Sequence, residues 1–229
     1  MARLPAANGK AAELDGKAFD KLLASHDVTL PKSRLCRTGA EAARAAARIG
    51  FPVAVKIVAP KFSHKTEVGG VMLNLTSARD VSAATRTLAA RIRKADRKAE
   101  ITGYLVQEMV SGVEMIVGCR TDPVYGPVVL LGAGGILVEL MKDATMRLLP
   151  VTASDVRGMI DDLQAKKLLA GFRGARPADT AALVRAVVGL SKIFLRHRDT
   201  LADLEINPLI VREKGKGVAA VDVRPVRKG

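Results

Sequence analysis

Phe51-Pro52-Val53-Ala54-Val55-Lys56-Ile57-Val58 is an almost wholly apolar, β-branched run broken by one lysine. Such a run predicts a strand. A second run, Val71-Met72-Leu73-Asn74-Leu75, opens after Gly69-Gly70, and the polar stretch between them predicts a hairpin with a long loop. The part Ser63-His64-Lys65-Thr66-Glu67-Val68-Gly69-Gly70 has no large apolar side chain between Ser63 and Val68 to pin it, so its donors can fold over phosphate groups. Lys56 is either a charge that an anion such as phosphate must neutralise, or a lysine on an edge strand pointing to water. His64 is the loop's one side chain that titrates near neutrality. It either takes up and passes on a phosphoryl group or is an exposed histidine with no role.

On the N-terminal side, Phe19, Leu22 and Leu23 fit a short helix, and Thr38 with Glu41 three residues later is a capping box that starts a helix ending at Gly50. Beyond the hairpin, Ser77 with Asp80 caps a helix reaching about Ala95. Strands follow at Tyr104–Met109, Val113–Arg120 and Val128–Leu131. Leu183, Ala186, Val187, Leu190, Ile193 and Phe194 keep helical spacing, and a strand pair, 204–211 and 217–223, closes the chain. Hairpins mixed with crossovers predict an α/β or α+β fold in two lobes. Residues 1–16 read as a loosely ordered lead-in, 17–106 as the first lobe and 107–229 as the second, with the boundary near Glu108 to Gly112.

Three further clusters carry polar chemistry. Gln107-Glu108-Met109-Val110 with Gly112-Val113-Glu114 sets two acids at a strand end, where they could hold ribose hydroxyls while free backbone groups of Met109 and Val110 address adenine. In Leu204-Glu205-Ile206-Asn207-Pro208-Leu209, alternation puts Glu205 and Asn207 on one face. If Lys214-Gly215 centres the closing hairpin, Asn207 lies opposite Asp222. Oxygen ligands without His or Cys suit Mg²⁺, and the alternative is a polar strand face covered by solvent. Gly132-Ala133-Gly134-Gly135 follows an apolar strand but lacks the third glycine of a dinucleotide fingerprint, because position 137 is Leu. It reads as a turn where backbone can approach a substrate, with Glu139, Asp143 and Arg147 stacked on one side if that segment is helical.

The 229 residues carry 37 Lys and Arg against 23 Asp and Glu, a net +14, which attracts phosphate in any form: nucleic acid, an anionic membrane or a nucleotide. The basic residues are dispersed, as on a solvated surface that serves solubility or an acidic partner. Aromatics are 3%, with no Trp, which leaves little for base stacking and weighs against nucleic acid. No stretch approaches the roughly 18 uninterrupted apolar residues of a membrane span, the start MARLPAANGK lacks a secretory apolar run, and two cysteines make no disulfide framework. A cytoplasmic, reducing location without membrane contact is expected.

Taken in order, these motifs resemble the ATP-grasp module of ADP-forming acyl-CoA synthetases, in its beta-subunit form, over about residues 17–226. The run Ser63–Gly70 is the most specific part, and Glu205-Ile206-Asn207-Pro208-Leu209 is shared with succinyl-CoA synthetase beta chains. The resemblance implies an ATP-grasp fold of two lobes with the nucleotide held between them, and ATP or ADP with Mg²⁺ as cofactors. It implies Lys56, with the Gly69-Gly70 loop end, on the phosphates, Glu108 and Glu114 around the nucleoside, and adenine at the Met109-Val110 hinge. Asn207 and Asp222, with Glu205, would hold metal, and His64 would relay phosphoryl. In the family, acyl-CoA and phosphate give an acyl phosphate, which phosphorylates a histidine on a mobile loop of the alpha part, and that loop carries the phosphoryl group to ADP. The CoA-binding and CoA-ligase domains are missing from this sequence, so an alpha-type partner subunit bearing both is expected. A carboxylate-amine ligase working through an acyl phosphate is the rival reading, and a basic nucleic-acid-binding module a weaker one.

Overall fold

The computed structural model describes residues 16–60, 69–135 and 143–228. The chain divides into two compact units, a smaller one of residues 31–109 and a larger one that combines the segment up to Leu30 with residues from Val110 onward. The division expected at residue 106 would have cut a strand, since pairing continues to Glu108. Residues 17–30, expected in the first lobe, belong to the larger unit. The reason is packing: Phe19 and Leu23 are fully buried in the larger unit's core, and Val28 pairs with Val218. Residues 1–15 of the expected lead-in lie outside the described residues.

In the smaller unit, β2 (Ser33–Cys36), β3 (Val53–Val58), β4 (Val71–Leu75) and β5 (Gly103–Glu108) form a four-stranded antiparallel sheet in the order β2-β5-β3-β4. Two helices, α2 (Gly39–Ile49) and α3 (Ala78–Ala95), pack against it. Their starts follow from local chemistry. Thr38 accepts the N–H of Glu41, Ser77 accepts that of Asp80, and α2 stops at Gly50, whose φ of 100° favours glycine. Val53, Val55 and Ile57 are fully buried among Ala42, Ala46, Leu88 and Ile92. By alternation, Ala54 and Lys56 point to the opposite side of the sheet from the helices.

The larger unit begins with α1 (Gly16–Ala24) and the short β1 (Val28–Thr29). It continues with β6 (Val113–Asp122), β7 (Gly126–Ala133), β8 (Ala144–Leu148), α4 (Ala153–Asp162), α5 (Lys166–Leu169), α6 (Thr180–His197), β9 (Leu201–Val211), β10 (Val218–Ala220) and β11 (Val223–Arg227). The sheet order is β1-β10-β9-β6-β7-β8, with β11 also on β9. Its core side is covered by the helices, with Phe194, Leu183, Met159, Met115 and Leu131 essentially inaccessible. Each such side chain contributes about 1.5–3 kcal/mol by leaving water. The buried Asp179 ties this unit together. Its carboxylate accepts N–H groups of Ala182 at 3.0 Å, Gly215 at 2.9 Å and Gly217 at 3.0 Å, capping α6 and fastening the β9–β10 turn to it. Burial pushes the Asp179 carboxyl up, but the bonds from Gly217, Ala182 and Gly215 outweigh it and hold it below the ordinary carboxylate value.

The expected helical stacking of Asp143 with Arg147 is not found. Ala144–Leu148 is an edge strand paired with β7, its side chains alternately exposed and half-buried. Asp143 instead accepts the N–H groups of Gln164 and Ala165, both at 2.8 Å, and Arg147 pairs with Asp162 at 2.6 Å. Glu139 lies outside the described residues.

Candidate functional site

On the smaller unit, β3 is an interior strand between β5 and β4, so Lys56 is not an edge-strand lysine. It pairs with Leu105 on one side and Val71 on the other, and only 9% of it is exposed. A buried ammonium is retained only with compensating charge or hydrogen bonds. The hairpin it belongs to is present, with Ile57 N–H donating to Gly70 C=O at 2.9 Å. His64 and the rest of 61–68 lie outside the described residues. The loop's end is held by a residue that sequence reasoning missed. Arg91 of α3 donates to Gly69 C=O at 2.9 Å, and Gly69 has φ of 60°. A contact 22 residues away leaves no local signal of it in the sequence.

At the far end of the same sheet, Glu108 is half-buried. Its backbone N–H donates to Lys32 C=O at 2.8 Å, and its carboxylate accepts Lys32 N–H at 3.2 Å. The expectation of free backbone groups at Met109 and Val110 needs correction, because Met109 N–H donates to Pro52 C=O at 3.2 Å. The hydrogen bond continues the β3–β5 ladder by one residue and removes that donor from ligand recognition.

On the larger unit, the expected register of the closing hairpin is found. Ala220 pairs with Leu209, Val223 with Ile206, and between them Asn207 N–H donates to Asp222 C=O at 3.0 Å. The strand is interrupted at Val221-Asp222, so two strands, β10 and β11, stand where one was expected. In β9 the Asn207-Pro208 peptide is cis, and pairing with β6 shifts so that these two residues together oppose Ile116. This bulge turns Leu204, Ile206, Leu209 and Val211 to the core while leaving Glu205 and Asn207 half-buried on the other face. Asp222 is exposed. Glu114 shares that face, since Gly118, four residues along β6, pairs with Glu205.

The glycines after β7 serve the protein's own backbone rather than a substrate. Gly134 N–H donates to Glu114 C=O at 2.7 Å, and a Cβ on Gly134 would sit 2.7 Å from Met115 N. Gly112 likewise has no room for a side chain beside Val211. Both cysteines are buried free thiols, and burial pushes Cys119 up to about 12, which makes it chemically inert.

For a divalent cation, the larger unit offers two carboxylates and one amide, Glu205, Asp222 and Asn207. Among the described residues no group of three or more His, Cys, Asp or Glu is placed to hold a metal ion by itself. That donor set fits Mg²⁺, which keeps waters and takes phosphate oxygens rather than filling its shell from protein. No helix among the described residues is long and apolar enough to cross a membrane.

A helix-backed sheet carrying a buried lysine in one unit, and a sheet with an oxygen-rich face in the other, are the equipment of the ATP-grasp class. The chain matches the ATP-grasp domain over residues 6–226 and belongs to that family. It is 36% identical to the beta subunit of acetate–CoA ligase (ADP-forming) II from Pyrococcus furiosus, over 97% of this chain and 94% of that one. It is 42% identical to 4-hydroxybutyrate–CoA ligase (ADP-forming) from Nitrosopumilus maritimus over 89% of this chain, which spans 29% of that longer protein. Among solved structures, the dinucleotide-forming acetyl-coenzyme A synthetase 1 of Ca. Korarchaeum cryptofilum, in complex with coenzyme A and Ca-AMPCP, superposes with a TM-score of 0.82 at 37% identity, covering 93% of this chain and 91% of that one. Another structure of that protein contains Mg-AMPPCP, with a phosphohistidine segment pointing towards the nucleotide site.

Proposed function

We propose that this chain is the nucleotide-binding subunit of an ADP-forming acyl-CoA synthetase, transferring a phosphoryl group between ATP or ADP and a phosphohistidine on a partner chain. The observation that carries the reading is the end-to-end correspondence with a beta subunit, at 36% identity over nearly the full length of both chains. The reaction served is acyl-CoA with ADP and phosphate giving carboxylate, CoA and ATP, in either direction. In the step assigned to this chain, an oxygen of the terminal ADP phosphate attacks phosphorus. The P–N bond to imidazole breaks, and the imidazole leaves as it takes up a proton. Two anions must approach, so catalysis is mainly charge neutralisation and positioning.

Lys56 supplies the fixed positive charge on the phosphates, on a strand whose neighbours prevent its retreat into water. Arg91 and Gly69-Gly70 set the end of the loop that carries His64. Glu108 and Glu114 take the ribose hydroxyls, and Val110 rather than the Met109 N–H addresses the base, with Met109 contributing its remaining backbone and side-chain surface. Asn207, Asp222 and Glu205 would hold Mg²⁺, which when bound supplies countercharge and bridges phosphate oxygens. The partner is an alpha-type chain with CoA-binding and CoA-ligase domains, and a basic subunit suits a partner with acidic contact surface, so association should slow as salt rises.

The test is to purify the chain from its native cell, identify what accompanies it, and assay ATP formation from acyl-CoA, ADP and phosphate with and without that partner. Activity only with a CoA-binding partner is the expected result. Full activity of the lone chain would overturn the reading. In the active complex, His64→Ala separates two routes: direct transfer from the partner's histidine to ADP leaves turnover nearly unchanged, whereas a relay through His64 abolishes turnover while nucleotide binding persists.

A further inference from the structure

The smaller unit has a second cationic feature on the side of its sheet away from Lys56. A groove of about 530 Å³ runs between the start of α2 and one face of α3, lined by Gly39, Ala40, Ser82, Arg86, Arg93 and Tyr104, with Ala89 and Ala90 as its floor. Ser82, Arg86, Ala89, Ala90 and Arg93 fall on one face by helical spacing, so the two guanidiniums flank a floor of methyl groups. Tyr104 pairs with Ile57, whose side chain lies in the helix-side core, while Lys56 beside it points to the other side. The sheet therefore separates the groove from Lys56.

The hydroxyls of Ser82 and Thr85, which also line the groove, donate to Ala78 and Ser82 carbonyls, whereas its cationic groups and helix-start amides have no acceptor among the described residues. Among the described residues neither Arg86 nor Arg93 is paired with a carboxylate. Both are exposed in a unit with fifteen Lys or Arg against six Asp or Glu. The backbone N–H groups of Gly39 and Ala40, in the first turn of α2, have no acceptor there either, since Thr38 satisfies only those of Glu41 and Ala42. A helix start alone would be unremarked. Two acid-free guanidiniums lining the same concave surface are what give it a chemical preference, because arginine forks match the oxygens of a phosphoryl group.

We propose that this groove is a second anion site, taking a phosphorylated small molecule whose phosphoryl group is held by Arg86 and Arg93 against the Gly39 and Ala40 amides. It is independent of the nucleotide reading, because no residue of the groove belongs to that set.

Inorganic phosphate is the probe, titrated at constant ionic strength into the ¹⁵N-labelled full chain while the Gly39 and Ala40 amide resonances are followed. They should shift saturably. In Arg86→Lys/Arg93→Lys, which keeps the charge but loses the forks, the midpoint should rise about 10-fold or more. Lys56→Ala should leave the midpoint unchanged. Because both arginines are exposed, the double variant should melt with the wild type, which separates lost binding from lost folding. Absence of a saturable shift at these amides, or an unchanged midpoint in the double lysine variant, would overturn the proposal, the latter by showing a diffuse counterion cloud. A midpoint that moves with Lys56→Ala would overturn it too, by assigning the shifts to the other side of the sheet.

Discussion

Residues 31–109 hold fifteen Lys or Arg against six Asp or Glu, whereas the remainder of the chain holds twenty-two against seventeen, so the smaller unit carries +9 and the larger, nearly twice as long, +5. The candidate groups divide in the same sense. The smaller unit offers Lys56, and the larger offers Glu114, Glu205, Asn207 and Asp222. An ammonium can meet phosphate directly, but carboxylates repel it unless a cation stands between them. On the proposed reading the units differ in what they require: one would act on phosphate unaided, the other only through a metal.

That difference can be broken by experiment. Lys56→Ala should weaken ADP binding about 10- to 150-fold, the cost of about 1.5–3 kcal/mol for a lost charge-assisted contact, with or without Mg²⁺. Asp222→Ala should weaken Mg-ADP binding and leave metal-free ADP unaffected, and calorimetry in magnesium and in chelator reads both. Equal losses for the two variants in chelator would erase the distinction.

A comparable effect, on stability, belongs to the larger unit alone. Asp179→Ala removes the acceptor of three N–H groups and should cost roughly 1.5–3 kcal/mol in denaturant unfolding. Because the native carboxyl titrates below its unfolded value, this stabilisation is fully present above about pH 4 and fades as the pH falls through the native pKa. The gap between wild type and variant should therefore narrow at pH 3 relative to pH 7. A gap independent of pH would mean that packing, not the charged acceptor, is what the substitution removes.

Smaller effects sharpen the picture of local chemistry. Ser77→Ala should cost the smaller unit about 1 kcal/mol by uncapping α3, read from thermal unfolding. Arg185→Ala breaks the exposed pair with Asp27, 2.8 Å in length, and should cost well under about 1 kcal/mol. A loss larger than that of Ser77→Ala would show that this pair is more than a surface contact.

How much of this was legible from sequence depended on distance along the chain. The Asn207–Asp222 register could be read because one turn at Lys214-Gly215 sets it, and Gly215 does adopt a φ of 84°. The caps at Thr38 and Ser77 span three residues and were equally plain. The sequence placed Lys56 in a strand, but its neighbours decide whether that strand is an edge, and they arrive from residues 71 and 105. Asp143 and Arg147 misled because a four-residue spacing also fits a strand once β7 pairs with it. Met109 N–H, Arg91 and the membership of α1 and β1 turn on partners that no local pattern announces.

The parallel pairing of Val28 with Val218 bears on how the protein is made. It closes a loop of about 190 residues, a contact with a high entropic cost of closure. During synthesis, residues 31–109 can complete their sheet and helices from contiguous chain, whereas the larger unit's first strand must wait until residues 218–220 have left the ribosome. The smaller unit is an insertion between Leu30 and Val110 that can be finished early. The order of maturation runs from the middle of the chain outward, and β1 docks only once β10 has emerged.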